Sequence, residues 1–256
     1  MLLWLSCRKR DISGSLGMLR HKVKKIGLLG GMSCESTIEY YRIINSEVRK
    51  ALGGCSSAEL IIESFNFCDI VNLQFEDEWE ELGQKLSRAA QNLERAGADY
   101  IVICTNLMHK VAPMVQSNIS VPLIHMVDSV AKEIKTRKMN KVGLLGTIFT
   151  MEEDFYSKKL YDQYNIKTVI PNCADRKEVS RIIYEELCRG VIKESSKQKY
   201  LEVIDKMKDE GAQGVIMGCT EIPLMIQSAS IPVFDTTNIH AMSIVEKILE
   251  QELALA

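Results

Sequence analysis

The sequence predicts an α/β protein of two pseudo-symmetric halves, each a small parallel sheet flanked by helices, with a functional cleft between them. Short apolar runs at 26–29, 100–103, 142–145 and 215–217 end in Gly or polar residues and alternate with long amphipathic stretches. That is the pattern of buried parallel strands joined by helical crossovers. The chain also matches itself: "KKIGLLGG" from Lys24 with "NKVGLLGT" from Asn140, "GADYIVICTN" from Gly97 with "GAQGVIMGCTE" from Gly211, and "SVPLIH" from Ser120 with "SIPVFD" from Ser230. Three matches in one order mark a duplicated unit. At 256 residues the chain is long enough for a full core, in one large domain or two small ones.

Helices are expected over 35–52, 79–96, 126–137, 151–163, 175–189, 196–210 and 239–253. Ser33 or Ser36 fits as the cap of the first, and Thr150 as a cap ahead of the acidic "MEED". The domains read as 22–122 with about 228–256, and 123–227. Residues 1–21 read as an extension outside the folded core, with Met18 a second candidate start. The basic cluster of "MLLWLSCRKRDISGSLGMLRHK" follows its short apolar run, the reverse of a secretory signal, and the run is too short to span a bilayer.

Lys and Arg number 32 against 34 Asp and Glu, a balance that offers no footprint for nucleic acid or an anionic membrane and leaves a small molecule as the expected partner. Eight cysteines are scattered without C-x-x-C pairs or neighbouring histidines, so neither a metal site nor a redox dithiol is signalled, and a reducing, cytoplasmic setting fits. Free Cys packs as a small hydrophobe, so each functional cysteine needs its own argument.

In such sheets ligands sit beyond the carboxyl ends of the strands, and two similar halves bring equivalent ends to one cleft. The self-match lays Thr105 on Cys219 and Cys104 on Gly218. Because neighbouring strand residues point to opposite faces, Thr105 and Cys219 are expected to face each other and Cys104 to point into its own layers. Two proton-transfer groups on opposite sides of a cleft suit inversion at a carbon. A thiolate can take a proton, the more so at a helix N-terminus, which "TEIPLMI" after Cys219 suggests, with Thr220 and Glu221 in its first turn. Threonine is the poorer base.

"IGLLGGMSCESTIEYYRIIN", "ICTNLMHKVA", "LLGTIFTMEEDFY" and "GVIMGCTEIP" resemble the aspartate/glutamate racemase family, which works without pyridoxal phosphate, and most nearly its bacterial L-aspartate/glutamate-specific type. The resemblance covers nearly all of 23–250. It implies two Rossmann-like domains with the active site between them, a homodimer, and neither cofactor nor metal. Most members carry C-N-T-x-H and G-C-T with two cysteines as bases; here Thr105 stands at the first, as in the L-specific type. The resemblance makes Cys219 the base for the α-proton of the L-enantiomer and Thr105 the relay on the D face. It assigns Met32, Ser33, Gln74, Asn106, Leu107, Thr147 and Thr220 to the substrate's amino and carboxylate groups. Leu107 departs from the family's Thr and removes a hydroxyl; Cys34 replaces an aromatic residue or Pro.

Each of these features has a plainer reading. "GLLGGM" is not G-x-G-x-x-G and can be a packing turn. His109 is either a structural histidine or an orienter of Thr105 or a water. Tyr40, Tyr41 and Trp79 read as core or interface aromatics, and the acidic run 76–81 as a helix start or solvated face. Two rival functions stand beside a racemase: a single-cysteine decarboxylase of malonate-type acids, favoured by an aryl-sized apolar wall at Leu107, and an amino-acid-binding protein without turnover.

Overall fold

The computed structural model describes residues 23–253, so the expectation for 1–21 lies outside the described residues. The first half runs β1 (Ile26–Gly30), α1 (Cys34–Leu52), β2 (Leu60–Ser64), α2 (Phe67–Phe75), α3 (Trp79–Arg95), β3 (Tyr100–Ile103), a 3-10 turn (Leu107–Val111), α4 (Ala112–Ser117), β4 (Leu123–Ile124) and α5 (Met126–Thr136). The second runs β5 (Lys141–Leu145), α6 (Ile148–Glu152), α7 (Asp154–Tyr164), β6 (Lys167–Val169), α8 (Cys173–Glu185), a 3-10 turn (Leu187–Arg189), α9 (Glu194–Asp209), β7 (Val215–Met217), α10 (Ile222–Met225), β8 (Val233–Asp235) and α11 (Thr236–Leu253).

Each half forms a four-stranded parallel sheet, ordered β2-β1-β3-β4 in one and β6-β5-β7-β8 in the other. The duplicated sequence is thus a duplicated topology, of two Rossmann-like α/β units. Residues 123–124 complete the first sheet and 233–235 the second. Only beyond β8 does the chain return, as α11 packs on α1 and α5.

The symmetry extends to the glycines. Gly27 in β1 and Gly143 in β5 sit where a Cβ would lie 2.9 Å from Leu93 of α3 and 2.7 Å from the methyl of Met207 of α9. At both places the missing side chain lets a helix lie against its strand. Gly97 and Gly211, past the ends of those helices, both have φ of 90°, which only glycine adopts without strain. His125 and Asp235 occupy matching caps, accepting from the backbone N–H of Val127 (3.2 Å) and Asn238 (3.0 Å).

Ser33 caps α1, its Oγ accepting from Ser36 N–H at 3.3 Å, which decides between the two candidates. Thr150 does not cap: it lies inside α6, whose start falls at Thr147, and Glu153 breaks the expected single helix before α7. One apolar core crosses both halves, from Ile26, Leu28 and Val102 through Val142, Leu144 and Ile216 to Phe234 and Ile244. Its continuity fixes one sheet against the other.

Candidate active site

The segments after the carboxyl ends of β1, β3, β5 and β7, together with α2, α8 and the turn after α8, supply the residues that meet between the halves. Met32, Phe67, Gln74, Thr105 and Leu107 from the first half and Thr147, Tyr184, Cys188, Cys219 and Glu221 from the second line a cavity of about 30 Å³. Thr105 and Cys219 therefore face one space. Cys104 is fully buried among core residues on the other side of its backbone, where burial pushes its thiol far up. Alternation along the strand end separates the two neighbours as the sequence implied.

Six of the nine expected site residues line this cavity: Met32, Gln74, Thr105, Leu107, Thr147 and Cys219. Ser33 and Thr220 reach it through Glu221. The Ser33 hydroxyl donates to Glu221 Oε1 at 2.6 Å, and Thr220 donates to Oε2 at 3.0 Å. Asn106 is turned elsewhere: its Nδ2 donates at 2.9 Å to Thr236 Oγ1, which donates to the Met217 carbonyl at 2.8 Å. That chain ties the end of β3 to the end of β7.

Cys219 donates to Glu221 Oε2 at 2.9 Å. Desolvation, followed by the Glu221 carboxylate, holds its thiol well above the usual cysteine range. The structure corrects the expectation of a thiolate favoured by a helix N-terminus. α10 has only four residues, and Glu221 precedes it in place of a free turn of N–H donors. The thiol is held protonated by its neighbours.

His109 lies behind Thr105. Met126 N–H donates to its Nε2 at 3.1 Å, so the ring proton sits on Nδ1 and is donated to the Thr105 carbonyl at 2.8 Å. Desolvation and the neighbouring His125 keep the ring neutral. Of its two readings, orienting the Thr105 backbone is the one this geometry carries.

Tyr184, Cys188 and Phe67 were not singled out from the sequence, and Glu221 was read only as part of a helix start. A signal for Glu221 existed: continuing the self-match two residues beyond Thr105 and Cys219 pairs Leu107 with Glu221, and both line the cavity. The other three arrive on α2, α8 and the turn after it, with no motif to mark them. They also border a larger groove of about 680 Å³ at the mouth, lined by Val71, Phe75 and Arg189 among others.

A profile of the family described as Asp/Glu/Hydantoin racemase matches residues 29–244. The chain belongs to that family. A candidate Asp/Glu racemase from Yersinia pestis has a solved structure 49% identical to this chain, with TM-score 0.83, covering 88% of this chain and 99% of its own. An aspartate racemase homologue from Pyrococcus horikoshii OT3 is 40% identical, TM-score 0.77, with the same coverages of 88% and 99%. Among curated proteins, the broad specificity amino-acid racemase RacX of Bacillus subtilis (strain 168) is 24% identical over 231 residues, 88% of this chain and 98% of the relative. The resemblance drawn from the four motifs therefore holds at the level of the family. With it come racemase chemistry and a small-molecule amino-acid substrate. Among the described residues no helix is long and apolar enough to cross a membrane.

Proposed function

We propose that this racemase interconverts the enantiomers of aspartate or glutamate without pyridoxal phosphate, with Cys219 and Thr105 handling the Cα proton from opposite faces. The observation that carries the reading is that these two side chains, from equivalent strands of a duplicated fold, line one small cavity. Inversion needs a base on one face and a proton source on the other, and a threonine opposite a cysteine makes the faces unequal. Cys219 as thiolate removes the α-proton of the L-enantiomer, and the Thr105 hydroxyl relays a proton to the D face, so L-substrates are favoured. Met32, Gln74, Leu107 and Thr147 border the bound amino acid, Ser33 and Thr220 act on it through Glu221, and Asn106 serves through its backbone while its side chain ties the two halves together. N–H donors of the turns after β1 and β5 would stabilise the charge that builds on the α-carboxylate.

Leu107 does not create an aryl-sized wall: it is packed in the first-half core. The decarboxylase reading gains nothing from it. We place the protein in a reducing cytoplasm, as a homodimer, which sedimentation would report as twice the chain mass; the seven described cysteines are all free.

The test is proton NMR in D2O with L- and D-aspartate and L- and D-glutamate taken separately. Loss of the Cα–H signal with appearance of D-product from an L-substrate, and slower loss from its D-partner, is expected. Absence of exchange with all four would remove the dicarboxylate-racemase reading.

A further inference from the structure

The described part of the protein buries three acidic side chains, and two of them have cations. Asp175 is paired with Lys199 at 2.9 Å and Lys206 at 2.8 Å, and Glu186 with Arg181 at 3.1 Å and Lys193 at 3.3 Å. Glu221, 4% exposed, is met by no Lys, Arg or His within ion-pair distance among the described residues. Its partners are a serine hydroxyl, a threonine hydroxyl and a thiol. A buried carboxylate with only neutral donors is costly to keep, because hydroxyl dipoles replace a full counter-charge incompletely. Glu221 also borders the cavity shared by Thr105 and Cys219.

We propose that Glu221 is the receptor for the α-ammonium group of the substrate, which makes a cationic amine at the reacting carbon the group this site selects. This rests on the amino-acid-racemase reading and names the residue that separates an amino acid from a diacid.

Three details of the geometry fit that occupant. An ionised carboxylate has about four acceptor positions, and three are occupied. The Oε1 partner, Ser33, belongs to the opposite half, 188 residues away. A cavity of about 30 Å³ holds about one water, so admission of an amino acid must part the halves. Parting withdraws the Ser33 hydroxyl and frees Oε1, where an ammonium brings three donors and the missing charge. Cα, one bond from that nitrogen, then lies beside the Sγ atom that shares the same carboxylate. The ammonium also offsets the negative charge that keeps the Cys219 proton in place, so that proton leaves to solvent while the halves are parted, and the group that identifies the substrate readies the thiolate.

The experiment is isothermal titration of the full chain with matched pairs, L-aspartate against succinate and L-glutamate against glutarate, in the native protein, Glu221→Gln and Glu221→Asp. The native protein is expected to bind the amino acid at least ~10-fold more tightly than the diacid. Glu221→Gln should erase the preference while leaving diacid affinity unchanged or improved, and Glu221→Asp should keep it. Equal binding of amino acid and diacid by the native protein, or an equal loss of both in Glu221→Gln, would overturn the proposal. Cα exchange in D2O run beside it separates the two claims. Preference without exchange rejects the racemase reading and keeps Glu221 as an ammonium receptor, whereas exchange with unchanged KM in Glu221→Gln does the reverse. Binding of neither member of either pair overturns both.

Discussion

Cys219, the proposed base, is held in the acid form by its own surroundings, by burial first and then by the Glu221 carboxylate, whose Oε2 accepts from its Sγ at 2.9 Å. Its reactivity therefore reports on the site. Iodoacetamide should modify Cys219 far more slowly at pH 8 than the exposed Cys173, read by peptide mass spectrometry over time. Glu221→Gln, which removes the second cause, should quicken it. For turnover, Cys219→Ala should lower Cα exchange by about 10²-fold or more, the usual weight of a positioned acid or base. Thr105→Ala should suppress inversion while proton exchange into L-substrate survives, because only the D face loses its donor. The opposition of Thr105 and Cys219 was legible in the sequence because two periodicities encode it, the alternation along a strand and the repeat between halves. The state of the thiol was not, since it depends on a carboxylate whose other oxygen is held by Ser33 from the far half.

At the scale of elements, the cavity is closed by contacts between halves that no local pattern encodes. Phe75 on α2 packs edge-on against Phe149 of α6 with centroids 5.7 Å apart, and lies tilted against Tyr184 of α8 at 5.6 Å. Trp79, first residue of α3, meets Phe149 edge-to-face at 5.8 Å, and the Lys110 ammonium lies over the Trp79 ring while pairing with Glu153 at 2.5 Å. Phe75 is nonetheless largely exposed, so it stabilises closure without being core. Phe75→Ala should leave the fold intact and favour opening. An aromatic pair contributes roughly 0.5–1.5 kcal/mol beyond its burial, so Cys219 alkylation should rise about 2- to 10-fold and KM should rise with it. An unchanged alkylation rate would show that the aromatics do not govern closure. The strands β1, β3, β5 and β7 and the long helices were readable because each buries a continuous apolar face. β2, β4, β6 and β8 were not: they lie outside the central pair of each sheet, run two to five residues, and carry residues such as Glu63 and Lys167 that break the apolar signal.

Across the whole molecule, α1, α5, α11 and the turn after β3 converge on three histidines. Tyr40 donates to His240 Nδ1 at 2.8 Å, because His240 Nε2–H is committed to the Ile124 carbonyl at 2.9 Å. The His109 ring lies 4.5 Å from that of His125 and 5.8 Å from that of His240. Desolvation comes first in lowering all three, reinforced by His125 on His109, by Lys159 on His125 and by His109 on His240, while Asp128 opposes the lowering of His109 and His240. His125 and His240 are lowered to about 3 and His109 well below its ordinary value. Unfolded, each takes a proton near pH 6.5. Between that pH and about 3 the unfolded chain thus binds protons that the folded chain refuses, so stability is full above 6.5 and falls as pH drops. The slope approaches about 1.4 kcal/mol per pH unit for each histidine. Urea unfolding of the native protein should therefore weaken steadily from pH 7 to 5. His240→Gln offers the amide in place of both ring hydrogen bonds but cannot titrate, so its slope should be shallower by about one histidine's share. Superimposable slopes would mean that His240 is not neutral in the folded protein, and that the packing of α11 on α1 tolerates a charge at its centre.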